Sequence, residues 1–367
     1  MSQVATHLPI QESLVDRRHP KDLTRRRPKH TSSRALPQFC PKCIAEAHHR
    51  HSSLAPIIGT RPTGVLTVTS PVPWVSTVPP LRDVVRGWKA DQARVALIPT
   101  MGALHRGHLE LVKLAQRNAD RVIVSIFVNP AQFAPHEDLD RYPRTFDSDL
   151  ATLATVGCDL VWAPTSSAMY PEGFATRIAP AGAALGLETD FRPHFFSGVT
   201  TVCSKLFLQT GADYAIFGEK DYQQLAVIRQ MVRDLNMPLE IIPAPTIREP
   251  DGLAMSSRNR YLTPQERSAA PALHRSLQAL ARALAAAGDK LTAQLAEELA
   301  EKTVTEIRAA GFAKVDYVAV RDAVTLAPLA APPADTPDRS GAARGVLRIL
   351  AAAWMGKTRL IDNISAG

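Results

Sequence analysis

From Thr77 to about Thr246 the chain alternates short apolar runs with longer stretches whose apolar residues recur at helical spacing. Runs at 95–98, 122–127, 159–162, 213–218 and 239–243 predict strands, and segments at 81–90, 108–118, 147–156, 199–210 and 221–235 predict helices. Apolar runs without polar alternation require burial on both faces, and each helix can carry the chain back across a sheet. The pattern therefore predicts a Rossmann-like parallel α/β sheet with right-handed crossovers. In such sheets ligands bind beyond the carboxyl ends of the strands, and the polar motifs of this chain stand there.

After Thr246 the texture changes. A hydrophilic loop leads to an Ala-rich helix expected over Thr263–Ala287, a second helix over Leu291–Ala310, and strand-like runs at 315–321, 346–353 and 358–362. Thr263-Pro264 fits a cap followed by proline in the first turn. The Pro- and Ala-rich stretch Ala327–Gly345 reads as a loop between strands. The expected organisation is an extension over 1–73, a Rossmann-like domain over 74–246 and a smaller α+β C-terminal lid domain over 247–367.

The formal charge of +8 suggests a nucleic-acid partner only until it is located. Residues 1–60 carry ten Lys/Arg against four Asp/Glu, an excess of +6, which leaves +2 for the remainder. The body is nearly neutral and has no interleaved basic and aromatic face, so neither nucleic acid nor a membrane is expected as a partner. No apolar span approaches the roughly 20 residues a bilayer needs. Four scattered cysteines fit a reducing cytoplasm. The extension has basic clusters and little apolar periodicity, so disorder is expected. Cys40-Pro-Lys-Cys43, with His48, His49 and His51 following, has no second knuckle and reads as tail rather than as a zinc site.

Two segments carry chemistry. The first is Ile98-Pro-Thr-Met-Gly-Ala-Leu-His-Arg-Gly-His-Leu-Glu-Leu111, where His105 and His108 flank Gly107 between an apolar strand and an amphipathic helix. A helix N-terminus gathers free N–H groups and the positive end of the dipole, so a polyphosphate is attracted there. Gly102 and Gly107 are expected to let the backbone approach a nucleotide. Two imidazoles three residues apart can donate N–H groups to phosphate oxygens as charge develops. The second segment is Arg248-Glu-Pro-Asp-Gly-Leu-Ala-Met-Ser-Ser-Arg-Asn-Arg-Tyr-Leu262. Its Asp-Gly turn, two hydroxyls and the planar fork of Arg258 compose a clamp for phosphate oxygens.

Paired in this way, the His-x-Gly-His (HIGH-type) and Met-Ser-Ser-Arg motifs resemble those of the nucleotidyltransferase superfamily that includes class I aminoacyl-tRNA synthetases. Within it, Pro99–His108, Ser125-Ile-Phe-Val-Asn-Pro-Ala-Gln-Phe133, Tyr142-Pro-Arg-Thr145, Phe217-Gly-Glu-Lys-Asp-Tyr-Gln-Gln224 and Gly252–Leu262 resemble the pantoate–β-alanine ligase family from about Val75 onward. The resemblance implies an acyl-adenylate mechanism, with pantoate, β-alanine and ATP as substrates, Mg²⁺ on the triphosphate and a homodimer.

It also implies residue roles. His105, His108, Lys220, Ser256, Ser257 and Arg258 would be catalytic. Met101, Gly102, His108, Gly218, Lys220, Asp221, Met255, Ser256, Ser257 and Arg258 would bind ATP, with Asp221 on the ribose. Pro99, Met101, Asn129, Gln132, Phe133 and Gln224 would bind pantoate and β-alanine. Asp149 is the candidate metal carboxylate. The sequence departs from the family at Arg192-Pro-His-Phe-Phe-Ser-Gly-Val199, where Phe195 takes the usual histidine position and His194 stands one place early. His194 is given no catalytic role.

Three rival readings are weaker. Adenylyltransferases that move AMP onto a phosphate lack the Gly-Glu-Lys-Asp-Tyr-Gln-Gln block, a tRNA synthetase needs an anticodon-binding region, and a non-enzymatic relic would have eroded its phosphate contacts.

Overall fold

Every short apolar run of the first half becomes a strand of one parallel sheet. The computed structural model describes residues 70–134, 137–329 and 346–366, all within one compact unit spanning Arg61–Gly367. In chain order the elements of the first half are β1 (Trp74–Val75), α1 (Val78–Ala90), β2 (Val95–Thr100), α2 (Arg106–Asn118), β3 (Arg121–Ile126), α3 (Phe146–Ala154) and β4 (Leu160–Trp162). Then come the short helices α4 (Ser166–Met169) and α5 (Glu188–Phe191), followed by α6 (Phe195–Thr210), β5 (Tyr214–Gly218), α7 (Tyr222–Asp234) and β6 (Glu240–Ala244). The strands lie in the order β1-β4-β3-β2-β5-β6, all parallel.

Strand β2 is central because its alternate residues feed two cores. Val95 and Leu97 join one apolar cluster with residues of α1, α6 and α7, while Ala96 and Ile98 join the other with residues of α2 and α3. Burial on both faces is why the run lacks polar alternation. From β2 the chain steps outward to β3 and β4, then returns to lay β5 on the opposite side of β2. This reversal opens a crevice between the carboxyl ends of β2 and β5, the place where open α/β sheets take ligands.

The second half holds α8 (Pro264–Ala269), α9 (Ala272–Ala287), α10 (Ala293–Ala309) and an antiparallel sheet of β7 (Lys314–Asp322), β8 (Leu347–Met355) and β9 (Thr358–Ala366). The expected single helix over 263–287 is two helices. Pro271 cannot supply the N–H that a continuous helix needs at that point, so the chain breaks between Ala269 and Ala272. Thr263 and Glu266 form a reciprocal cap at the start of α8. In β8, Ile349 and Ala351 pack with α9 and α10, whereas Leu350 turns to the core of the first half. The C-terminal sheet is thereby seated against the parallel-sheet layer. The extension up to residue 69, including Cys40 and Cys43, lies outside the described residues, as does 330–345 of the expected 327–345 loop.

Gly198 in α6 carries a packing constraint. A Cβ there would stand 2.3 Å from the carbonyl oxygen of Ala131 and 2.8 Å from the nitrogen of Gln132. Both are backbone atoms of the single 3₁₀ turn Pro130–Gln132, so the contact cannot be relieved by rotating a side chain. Gly198→Ala is expected to cost about 1–3 kcal/mol through overpacking, read as a lower urea midpoint, and to displace Gln132.

Candidate functional site

The turn after β2 is built by a buried carboxylate and two imidazoles. Thr100 Oγ1 donates to the carbonyl of Ser125 at 2.6 Å and accepts from Gly102 N at 3.2 Å. Gly102 and Ala103 then adopt positive φ, +80° and +52°, which turns the chain sharply off the sheet. Asp149, 2% exposed on α3, accepts the backbone N–H groups of Ala103 at 3.0 Å and Leu104 at 2.8 Å, and the Thr145 hydroxyl at 3.2 Å. The expectation that Asp149 is a metal ligand is therefore corrected. It lies behind the cleft wall, with both oxygens committed to the turn.

Gly102 is likewise not on the cleft wall. A Cβ on it would meet Asp149 Oδ2 at 3.0 Å and Ile126 at 3.2 Å, so the missing side chain makes room for the carboxylate rather than for a nucleotide. At Gly107 a Cβ would come within 2.8 Å of the His105 ring. That glycine, which does line the cleft, accommodates an imidazole.

His105 is the N-cap of α2. Its Nδ1 accepts from Gly107 N at 3.1 Å, and His108 Nδ1 accepts from His105 N at 3.3 Å. The helix N-terminus thus spends several of its free N–H groups internally. With Nδ1 of each ring used as an acceptor, a neutral ring carries its proton on Nε2, the nitrogen left for a ligand. The rings lie 4.1 Å apart between centroids. Burial, then the charges of Lys220 and Arg260, hold His105 at about 4, and burial together with His105, Lys220 and Arg260 holds His108 at about 3. Both rings are neutral donors near neutral pH.

Across the switch point, β5 ends in the 3₁₀ turn Glu219–Asp221. Lys220 Nζ stands 3.6 Å from the Asp221 carboxylate. Of the next two glutamines, Gln223 is buried and holds the 183–188 loop, accepting from Glu188 N and donating to the carbonyls of Ala183 and Gly186. Gln224 turns to the cleft, one helical position on. Beyond β3, Gln132 Nε2 stands 3.2 Å from Met101 Sδ. Asn129, 1% exposed, gives its amide to Gln132 Oε1 and the Gly198 carbonyl, and accepts from Ala131 N and Tyr170 OH. Its polar capacity is filled within the protein. Asn129 borders the cleft and orients Gln132 through these contacts.

The loop at 255–261 closes the fourth side. Ser257 Oγ donates to the carbonyl of Ala103 at 3.1 Å, and Ser256 caps the 3₁₀ turn Ser257–Tyr261 by accepting from Arg258 N. Arg258 is paired bidentately with Asp138 at 3.0 and 3.1 Å. Sequence reasoning missed this partner. The neighbouring Asp-Leu-Asp-Arg-Tyr stretch resembled any acidic loop.

These segments border one cleft of about 720 Å³. Its lining includes Pro99, Met101, His105, His108, Asn129, Gln132, Phe133, Gly218, Lys220, Asp221, Gln224, Met255, Ser256, Ser257 and Arg258, so of the expected site residues only Gly102 and Asp149 are absent. Phe195 also lines it, stacked under the Arg192 guanidinium at 3.8 Å, whereas His194 is exposed and off the wall. The C-terminal sheet adds Asp316, Tyr317, Arg359, Asp362 and Asn363, none of which had a motif to mark it.

Asp149→Ala leaves two buried N–H groups unsatisfied and is expected to cost about 3 kcal/mol in chemical unfolding. For the imidazoles, the folded pKa values lie below the ordinary 6.5, so the unfolded chain binds more protons. Their contribution to stability is complete above that value and is lost as pH falls towards about 4 and then about 3. Histidine ¹H–¹⁵N spectra near neutrality are expected to show both rings uncharged with the proton on Nε2. A charged ring there would contradict this arrangement.

A family model described as pantoate-beta-alanine ligase matches residues 74–365. A pantothenate synthetase of Caulobacter vibrioides is 53% identical over 300 residues, covering 82% of this chain and all of that one. Another from a Bradyrhizobium species is 55% identical over 286 residues, covering 78% of this chain and 95% of that one. The solved pantoate-β-alanine ligase of Thermus thermophilus aligns with a TM-score of 0.68 at 44% identity, covering 79% of this chain and 98% of its own. That of Francisella tularensis, complexed with a β,γ ATP compound and β-alanine, aligns at 0.62 with 32% identity, covering 79% of this chain and 96% of its own. By sequence over nearly all of the described residues, and by the fold that carries the cleft, this chain belongs to the pantoate-β-alanine ligase family.

Proposed function

We propose that this protein condenses pantoate with β-alanine at the expense of ATP, giving pantothenate, AMP and pyrophosphate. A carboxylate is a poor electrophile at neutral pH and must first be activated. A pantoate carboxylate oxygen attacks the α-phosphorus of ATP, the bond from that phosphorus to the bridging oxygen breaks, and pyrophosphate leaves. The amine of β-alanine then attacks the acyl carbon of the adenylate. The bond to the AMP oxygen breaks and the amine gives up a proton.

The observation that carries this reading is the convergence of His105, His108, Lys220 and the Met255–Arg258 loop on one cleft at the switch point. Adenylation needs in-line geometry and charge stabilisation more than covalent help. The Nε2–H groups of the neutral His105 and His108 rings would donate to α-phosphate oxygens. Lys220 would meet the charge that grows on the phosphates, and Asp221 would hold the ribose. Arg258, Ser256 and Ser257 would close on the β and γ phosphates, with Arg258 exchanging the Asp138 carboxylate for phosphate oxygens. Gln132 and Gln224 would take the pantoate hydroxyls and carboxylate against an apolar wall of Pro99, Met101 and Phe133.

ATP would enter as its Mg²⁺ complex, since magnesium keeps its waters and binds mainly through phosphate oxygens. No group of three or more His, Cys, Asp or Glu among the described residues is placed to hold a metal ion, and Asp149 does not fit as a ligand. The two working halves are 74–246 and 247–367, and the enzyme would act as a cytoplasmic homodimer, as the family resemblance implies. Among the described residues no helix is long and apolar enough to cross a membrane.

Exchange of labelled pyrophosphate into ATP is expected to require pantoate alone, while AMP release at full rate requires β-alanine as well. Lys220→Ala should lower kcat by about a hundredfold or more with the fold intact by circular dichroism. Acceptance of nicotinamide mononucleotide or phosphopantetheine in place of pantoate would overturn the assignment.

A further inference from the structure

Strand β9 carries two consecutive buried polar residues, Asp362 and Asn363. Neighbours on a strand face opposite sides, and these two reach different parts of the molecule. The Asp362 carboxylate takes both terminal nitrogens of Arg248 at 2.7 and 2.8 Å. Arg248 opens the segment that leads to the Met255–Arg258 loop. Asn363 reaches across to the other phosphate-facing element. Its Nδ2 donates to the carbonyls of Glu219 at 2.9 Å and Lys220 at 2.8 Å, and its Oδ1 accepts from Arg348 Nε at 2.7 Å. Arg348 then pairs with Glu219 at 3.3 Å and lies over the Tyr222 ring at 4.0 Å.

We propose that Asn363 is a positioning residue for Lys220: its side-chain amide locks the backbone of the Glu219–Asp221 turn to β9, which the Asp362–Arg248 pair ties to the start of the clamp segment. The register between Lys220 and the Met255–Arg258 loop is thereby set by a strand of the C-terminal sheet. The chemistry of the contact demands an amide. Two carbonyl oxygens require two N–H donors from one group, and Arg348 Nε requires an acceptor on the same group. A carboxylate would face both carbonyls with oxygen, and an apolar side chain would leave them unpaired in a buried place. Lys220 needs such anchoring because its ammonium ends a flexible four-carbon stem. A shift of its Cα passes directly to the point where phosphate charge would be met.

This inference rests on the assignment of Lys220 to the phosphates made above, and a double-mutant cycle separates the two. Asn363→Asp, nearly isosteric, is expected to lower pantoate-dependent pyrophosphate exchange by about a hundredfold through kcat, with the KM for pantoate within about twofold. In a Lys220→Ala background the same change should add nothing, because the group it positions is gone. Aminolysis of supplied pantoyl adenylate by β-alanine should fall far less than exchange. If Asn363→Asp fails to fold, Asn363→Ser, which keeps one hydroxyl donor, is read in the same cycle. Equal fractional losses in both backgrounds, or equal losses in both half-reactions, would assign Asn363 a merely structural role and overturn the proposal. Absence of pantoate-dependent exchange in the unaltered protein would instead defeat the substrate reading.

Discussion

The grip of the Asp149 carboxylate on the N–H groups of Ala103 and Leu104 is the contact from which the rest of the cleft follows. Two consecutive residues at positive φ, one of them an alanine, are costly unless the surroundings fix them. A buried anion receiving two backbone N–H groups provides that fixation. It does so from α3, the helix after β3, so the turn after β2 is held by the neighbouring crossover. Once the turn is set, His105 falls at the N-cap of α2 and both imidazoles use Nδ1 to close the helix start. Their outward nitrogens are then determined as donors. The carboxylate acts on the chemistry through two peptide groups and a cap, without facing the cleft.

The cations of the cleft are not idle in the protein alone. Arg258 is paired with Asp138, Lys220 stands near Asp221, and Arg192 forms a bidentate pair with Glu137 at 2.7 Å. These carboxylates avoid an uncompensated cluster of positive charge in a partly desolvated crevice. In the proposed reaction a triphosphate would compete with Asp138 for Arg258 and with Asp221 for Lys220 rather than fill a void. The depressed imidazoles belong to the same balance. Burial disfavours the charged form of both rings, and with Lys220 and Arg260 nearby a third or fourth positive charge is disfavoured further, so the rings stay neutral.

The strands were legible because burial on both faces demands continuous apolar runs, and the helices because each shows one apolar stripe. β1 was not, since two residues are too short to display a period. The break at Pro271 was visible as a residue but masked by the Ala-rich pattern on either side. For the site, motifs built from adjacent residues were readable, as His105–His108 and Met255–Arg258 show by meeting in one cleft. What failed was deciding what a given polar atom faces. Asp149 reads the same in sequence whether it meets a metal or two N–H groups. Asp138 meets Arg258 across 120 residues and Asn363 meets the Lys220 carbonyl across 143, and no local pattern encodes such a partner.

The division of labour between the halves follows from topology. A parallel sheet with a switch point supplies two strand ends side by side, here bearing the imidazoles and Lys220, but it leaves the side facing away from the sheet open to water. Water near an acyl-adenylate would hydrolyse it. The second half supplies the missing wall. Ser257 is fastened to the carbonyl of Ala103, and Asn363 to the turn that carries Lys220. Each contact runs from the C-terminal half to the backbone of a turn at the cleft, not to one of the side chains proposed to meet phosphate. Backbone tethers fix where a turn lies while leaving its side chains free to move onto and off a ligand, and that combination suits a site that must both align three substrates and release its products.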